Sequence, residues 1–468
     1  MRVLILGDDS REHALAWKLK QESSVEKLFA GPGNSGLAQE SELIDIDITD
    51  FAGVNKFSTE KEIDLIIADN PRYCRQGLVD RLKQQGFLVL GPGDRALELD
   101  NNNLQKRRFL LNQNIPAVDC GIFSSAENAR KYLEEADYPL QIRPAQNFSS
   151  SSANQSGQPV SAADRQEAET VIKRFLSEPS EEQYKEESSS ASSPAEILIE
   201  EIPAGERLSV FAISDGNNLM PFSSARIERA VFAGGEGAIT PGMGAYSPLP
   251  AVSFKVDKLI YRDIMLPLQE GLKQRGITHQ GFMAAEIVIT DRGPKIVDFQ
   301  LNLPPVAAAT IIPRLDGSLQ QIITQAAAGE IKQQRVSWSQ KTAVSVVVTS
   351  GGYPLMHKKG FPIKGLDQIT EEDTRIFHIS TRSEEDDIVT DGGRVLVVTA
   401  LAAGHFAAVD KVNSSLQKID FQDIHYRTDI GAGAILDLSQ DLLSAEEQQE
   451  QPREQEEGFF RQRGKEWE

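Results

Sequence analysis

The sequence predicts a multidomain protein of mixed α/β and α+β class, with a doubly wound parallel sheet at its N-terminus, two small sheets in the middle and a β-rich domain toward the C-terminus. Three observations lead there. Residues 1 to about 100 alternate short apolar runs with amphipathic helical stretches, as βαβ units do. From Glu196 onward, β-rich runs joined by polar turns take over. The 468 residues, 40 % hydrophobic and 25 % charged, suffice for roughly three cores at about 150 residues each.

Val3–Leu6 has no polar face and reads as a buried parallel strand. It opens into Gly7-Asp8-Asp9-Ser10 and a helix over Glu12–Gln21. Folds of this kind often hold a phosphate at that turn, but two carboxylates repel an anion and cap a helix well, so the turn reads as a cap. Val25–Ala30, the turn Gly31-Pro32-Gly33-Asn34, Ile63–Ala68, a helix over Gly77–Gln85 and Phe87–Leu90 complete the first domain. A helix over Leu104–Gln113 follows, with Lys106-Arg107-Arg108 read as its solvated face. Next come Asp119–Phe123, a helix over Ala126–Ala136 and the strand Pro139–Arg143. Two serine-rich stretches, 147–157 and Ser177–Pro194, read as loops around a helix over Ala163–Leu176.

The β-rich part begins with Ile197–Ile199, Leu208–Ile213 and Leu219–Phe222, then a glycine-rich loop over Gly234–Gly244 and a helix over Asp257–Arg275. Gly281–Ile289 and Lys295–Phe299 flank Asp291-Arg292-Gly293. If those three residues close a hairpin, Glu286 falls directly across from Asp298 and two carboxylates share one face. Ala343–Thr349, Arg375–Ile379 and Val395–Thr399 supply the last unit. The expected division is 1–100, 101–195, 196–330 and 331–434, with a disordered acidic tail at 435–468.

The net charge of −20 repels phosphate backbones and anionic lipid, so neither nucleic acid nor membrane is expected as a partner. Two cysteines make no disulfide framework and point to a reducing, cytoplasmic setting. The six histidines have no metal-ligand spacing, and no nucleophile elbow is present.

Several strings together resemble the phosphoribosylamine–glycine ligases, the glycinamide ribonucleotide synthetases of purine biosynthesis, which are ATP-grasp enzymes. They are Arg11-Glu12-His13-Ala14-Leu15-Ala16-Trp17-Lys18, Gly31-Pro32-Gly33-Asn34-Ser35-Gly36, Gly242-Met243-Gly244-Ala245-Tyr246-Ser247-Pro248, Gly351-Gly352-Tyr353-Pro354 and Asp391-Gly392-Gly393-Arg394-Val395-Leu396. The resemblance runs to about residue 434 and implies an ATP-grasp module of two small sheets between the N-terminal and C-terminal domains. It also implies ATP between those sheets, bound magnesium, and a glycyl phosphate attacked by the amine of phosphoribosylamine. Carried over residue by residue, it puts Arg143 and Arg229 at family lysines, and these are the catalytic candidates. Glu200, Glu201 and Ile202 fall in the adenine string, Glu206 at a retained glutamate, and Arg11 and Arg394 at retained arginines that would serve substrate. Asp298 and Gln300 replace a metal-binding Glu-x-Asn, and Glu286 replaces a glycine. Other ATP-grasp enzymes such as biotin carboxylase carry a metal-binding Glu twelve residues before their second ligand, the separation of Glu286 from Asp298. Glu286, Asp298 and Gln300 therefore read either as a rebuilt magnesium site or as a strained, protonated or solvent-facing carboxylate pair.

Other positions depart from the family. Asn103 stands for a lysine, and Ser150-Ser151-Ser152 for the Gly-Lys-Gly flap. Gly7-Asp8-Asp9-Ser10 stands for Gly-x-Gly-Gly, Asp69–Cys74 for Gly-Pro-Glu-Ala-Pro-Leu, and Asn302–Ala307 for the substrate string Arg-Phe-Gly-Asp-Pro-Glu. Charge-assisted contacts are each worth about 1.5–3 kcal/mol, so these losses remove roughly 6–10 kcal/mol, on the order of 10⁴- to 10⁷-fold in rate. The first reading is thus a degenerate family member with a binding or regulatory role, needing neither ATP nor magnesium and leaving its small-molecule ligand open. The second is a working carboxylate–amine ligase that uses ATP and magnesium through Arg143, Arg229 and the Glu286, Asp298 and Gln300 set. A third is a structural partner that engages another protein through the acidic tail or the serine-rich loops, with Phe459, Phe460 and Trp467 as docking residues.

Overall fold

The computed structural model describes residues 1–45, 47–145, 160–176, 196–249, 252–332 and 336–432. The serine-rich strings, with Ser150-Ser151-Ser152, and the tail, with Phe459, Phe460 and Trp467, lie outside the described residues.

Strands β1 (Arg2–Gly7), β2 (Lys27–Pro32), β3 (Glu42–Leu43), β4 (Leu65–Ile67) and β5 (Val89–Leu90) form a parallel sheet in the order β3-β2-β1-β4-β5. The apolar run of β1 is explained by its two covered faces. Val3 and Ile5 pack with Ala14 and Leu15 of the helix Ser10–Lys20, whereas Leu4 and Leu6 pack with Val54 and Leu78 on the other side. That first helix is capped as its carboxylates demand: Asp9 is the N-cap, and Glu12 reaches back to accept from the Asp9 N–H at 2.9 Å. Gly7, at φ +153°, leaves room for this, since a Cβ there would stand 2.5 Å from the Glu12 side chain.

A small antiparallel sheet, β6-β9-β7-β8, is built from β6 (Cys120–Phe123), β7 (Leu140–Pro144), β8 (Val160–Ala162) and β9 (Ile197–Glu201). Facing it is a sheet of β10 (Glu206–Asp215), β11 (Leu219–Ala230), β12 (Ile239–Ser247), β13 (Gln280–Thr290) and β14 (Gly293–Gln300). This sheet does not stop with these five strands. Strand β12 pairs antiparallel with β15 (Thr342–Thr349), and the ladder continues through β19 (Arg394–Ala402) to β16 (Thr374–His378), giving the order β14-β13-β10-β11-β12-β15-β19-β16. A separate ribbon joins β17 (Thr381–Glu384) to β18 (Asp387–Thr390).

Two expectations change. The second half of the glycine-rich stretch Gly234–Gly244 is strand, because Gly244 lets β12 approach β15: a Cβ there would stand 2.6 Å from the Ser345 carbonyl. The helix expected over Ala126–Ala136 ends at Tyr132.

Candidate functional site

The hairpin β13–β14 sets the floor of the cleft between the two sheets. Its turn holds two residues, not three, since Thr290 pairs with Gly293. A bulge then leaves Val297 without a partner, and the two one-residue offsets cancel, so Glu286 does stand directly opposite Asp298. Gln300 lies two residues on from Asp298, on the same face of β14, across from Ala284.

Neither carboxylate is free. Glu286 accepts from Arg207 Nη1 at 3.3 Å and Arg229 Nη2 at 3.0 Å. Asp298 has Lys106 Nζ at 2.8 Å from Oδ1 and Arg143 Nη1 at 3.4 Å from Oδ2. Burial would raise the Asp298 carboxyl, but Lys106 and Arg143 hold it well below the usual carboxylate range. Glu200, on β9 and fully buried, receives Arg107 Nε at 2.6 Å and Arg143 Nη2 at 2.8 Å. Arg143 therefore links both sheets through Glu200 and Asp298. Burial works against its charge, and those two carboxylates more than restore it.

Lys106 and Arg107 were missed by the sequence reading. The helix Asn103–Asn112 turns both inward, leaving each about 4 % exposed or less, while Arg108 stays outside. The signal was the spacing: Asn103, Arg107 and Leu110 fall at i, i+4 and i+7, and all three are buried. Arg107 also donates to the Val297 carbonyl at 2.8 Å, which the bulge leaves exposed to it. Asn103 supplies no charge and donates to the Pro144 carbonyl at 3.2 Å.

At the far end of the cleft, two backbone N–H groups of the string matched to the family's adenine contact are taken. The Ile202 N–H donates to Pro139 O at 3.3 Å and the Glu201 N–H to Asp119 O at 3.1 Å. Glu206 is held by Arg226, which also reaches Glu228 at 3.0 Å.

The expected substrate end lies where the N-terminal sheet meets the C-terminal domain. Arg11 is buried there. Its buried guanidinium is engaged by Glu12 at 2.7 Å, Asp69 at 3.6 Å, the Leu303 carbonyl at 2.8 Å and Asn302 at 3.3 Å, so it joins the first domain to the segment after β14. Burial pushes Asp69 up to about 7 against the pull of Arg11. Arg394 stands 3.7 Å from Asp9 Oδ2. Asp8 accepts the Tyr73 hydroxyl at 2.6 Å and has Arg72 at 3.5 Å. Nearby, His13 Nδ1 accepts from the His378 N–H at 2.9 Å, and His378 Nδ1 lies 2.8 Å from Thr381 Oγ1. Burial holds both rings neutral, His378 down to about 4.

Magnesium does not fit the donor set. Among the described residues no group of three or more His, Cys, Asp or Glu side chains is placed to hold a metal ion, and both hairpin carboxylates already bind protein cations. Among the described residues, no helix is long and apolar enough to cross a membrane.

Three domain models of phosphoribosylglycinamide synthetase match the chain: the N domain over residues 1–100, the ATP-grasp (A) domain over 102–303 and the C domain over 343–433. The chain is 32 % identical over 436 residues to a phosphoribosylamine–glycine ligase of Mesorhizobium japonicum, covering 93 % of the chain and 99 % of that protein. It is 31 % identical to that of Halalkalibacterium halodurans, covering 93 % and 97 %. Among solved structures, the phosphoribosylamine–glycine ligase of Thermotoga maritima superimposes with a TM-score of 0.72 at 21 % identity, over 92 % of this chain and all of that one. The biotin carboxylase domain of a 2-oxoglutarate carboxylase from Hydrogenobacter thermophilus, solved with MgADP and bicarbonate, gives 0.62 at 12 %, over 91 % of each. At these identities the two structures speak for the fold.

Proposed function

This chain belongs to the phosphoribosylamine–glycine ligase family of purine biosynthesis, and from that premise we propose that it has kept the fold while losing ATP-dependent ligation, acting by binding a ligand or a partner protein. One observation carries the reading. Family cations kept in the chain face its own carboxylates: Arg143 faces Asp298 and Arg229 faces Glu286 in the cleft, and Arg394 faces Asp9 where the N-terminal sheet meets the C-terminal domain. Two of those carboxylates, Glu286 and Asp9, stand at positions where the family has glycine.

A phosphate approaching any of these cations must displace an intramolecular partner before it gains one, and beside Arg229 and Arg394 that partner is an added negative charge. Neither the Asn103 amide nor the engaged Ile202 N–H makes up the loss. Drift alone scatters changes, whereas here new acids sit within ion-pair reach of old bases. Two further substituted positions, Arg72 and Tyr73, pair with Asp8 in the same way.

The full-length chain, supplied with ATP, magnesium, glycine and phosphoribosylamine, should release no glycine-dependent ADP above background. Steady turnover that Asp298→Ala abolishes would overturn this reading and establish a working ligase.

A further inference from the structure

Lys106 was expected on a solvated helix face, and the structure puts its ammonium between two carboxylates, 2.8 Å from Asp298 Oδ1 and 3.4 Å from Asp100 Oδ1. We propose that Lys106 is a built-in cation, standing where a divalent ion would otherwise bridge Asp100 and Asp298.

Four observations support this. The remaining oxygens are already donated to: Asp298 Oδ2 faces Arg143, and Asp100 Oδ2 accepts from the Leu301 N–H and the Asn302 amide, both at 3.3 Å. Asp298 Oδ1 also accepts the Phe299 N–H at 2.8 Å. The lysine is fixed at its base, its backbone N–H bonding Asn102 O at 2.9 Å within a helix. Its ammonium lies 5.1 Å from the centre of the Phe299 ring, so the aromatic face closes one more side. An ammonium offers three donors at hydrogen-bond distance and needs no shell of oxygens at the roughly 2.0–2.1 Å that magnesium demands. Carboxylates that would repel each other if left alone are thus held together by a charge that cannot dissociate.

This inference rests on the reading of the cleft as self-neutralised, and its test is separate from catalysis. Manganese(II), titrated into the full-length protein without nucleotide and followed by electron paramagnetic resonance, should find no site in the wild type at this cleft. Lys106→Met should create one, binding about tenfold or more tightly than wild type, and adding Asp298→Asn should abolish it. The melting temperature of Lys106→Met should rise with manganese while that of the wild type does not. A wild-type site that Asp298→Asn removes would overturn the proposal, as would a folded Lys106→Met variant with no gain in manganese binding. If Lys106→Met does not fold, Lys106→Gln replaces it, and the wild-type titration decides in either case. Turnover with ATP by a protein that binds no free manganese would defeat the proposed function and leave the role of Lys106 intact.

Discussion

The cleft between the two sheets and the junction between the first and last domains solve the same electrostatic problem at different depths. Both place carboxylates beside cations. In the cleft, Glu200, Arg107, Arg143 and Lys106 are all at least nine-tenths buried. At the junction, Asp8 is 30 % exposed and its partner Arg72 is 72 % exposed. Water can replace a lost partner of Asp8 and cannot replace one of Glu200, so the same kind of pair is structural in one place and nearly neutral in the other.

The largest effect should come from leaving the cleft's buried cations without their shared partner. Glu200→Ala strands Arg107 and Arg143 beneath the small sheet and should cost about 3–5 kcal/mol, read as a fall in the urea midpoint. A loss below about 1 kcal/mol would mean that the cleft behaves like the surface.

A middle effect is expected from the histidines that join the two domains. His378 is held neutral, its pKa lowered to about 4 from the ordinary 6.5. A depressed base adds its full stability above the unfolded pKa, and loses it as pH falls from about 6.5 toward 4. At pH 5 the loss for this ring is about 2 kcal/mol, so the stability of His378→Gln should fall by about that much less than wild type between pH 7.5 and pH 5. Equal slopes in the two proteins would refute the assignment.

The smallest effect belongs to Arg72. Arg72→Ala should change stability by no more than about 0.5 kcal/mol, and the change should vanish in high salt, because the exposed pair is screened while Tyr73 still satisfies Asp8.

The contrast also explains what the sequence disclosed. The alternation in residues 1–100 was readable because β1 is apolar throughout and Asp9 and Glu12 form a local cap, features that need no distant partner. The facing of Glu286 and Asp298 was reached although turn length and bulge were both unforeseen, since hairpin register depends only on their sum. Lys106 and Arg107 were hidden for the opposite reason. Three basic residues in a row look solvated, and what buries two of them comes from far along the chain: Glu200 lies 93 residues from Arg107. Arg11 was likewise matched to a family position, while its environment depends on Leu303, 292 residues away.

The junction of β12 with β15 has a mechanical consequence. Because hydrogen bonds run unbroken from β14 to β16, the large lobe and the C-terminal lobe must move as one plank, and any opening of the cleft falls to the small sheet. Truncating the chain before Thr342 would strip β12 of its neighbour, turning an interior ladder into a bare edge and inviting self-association instead of yielding a smaller working unit.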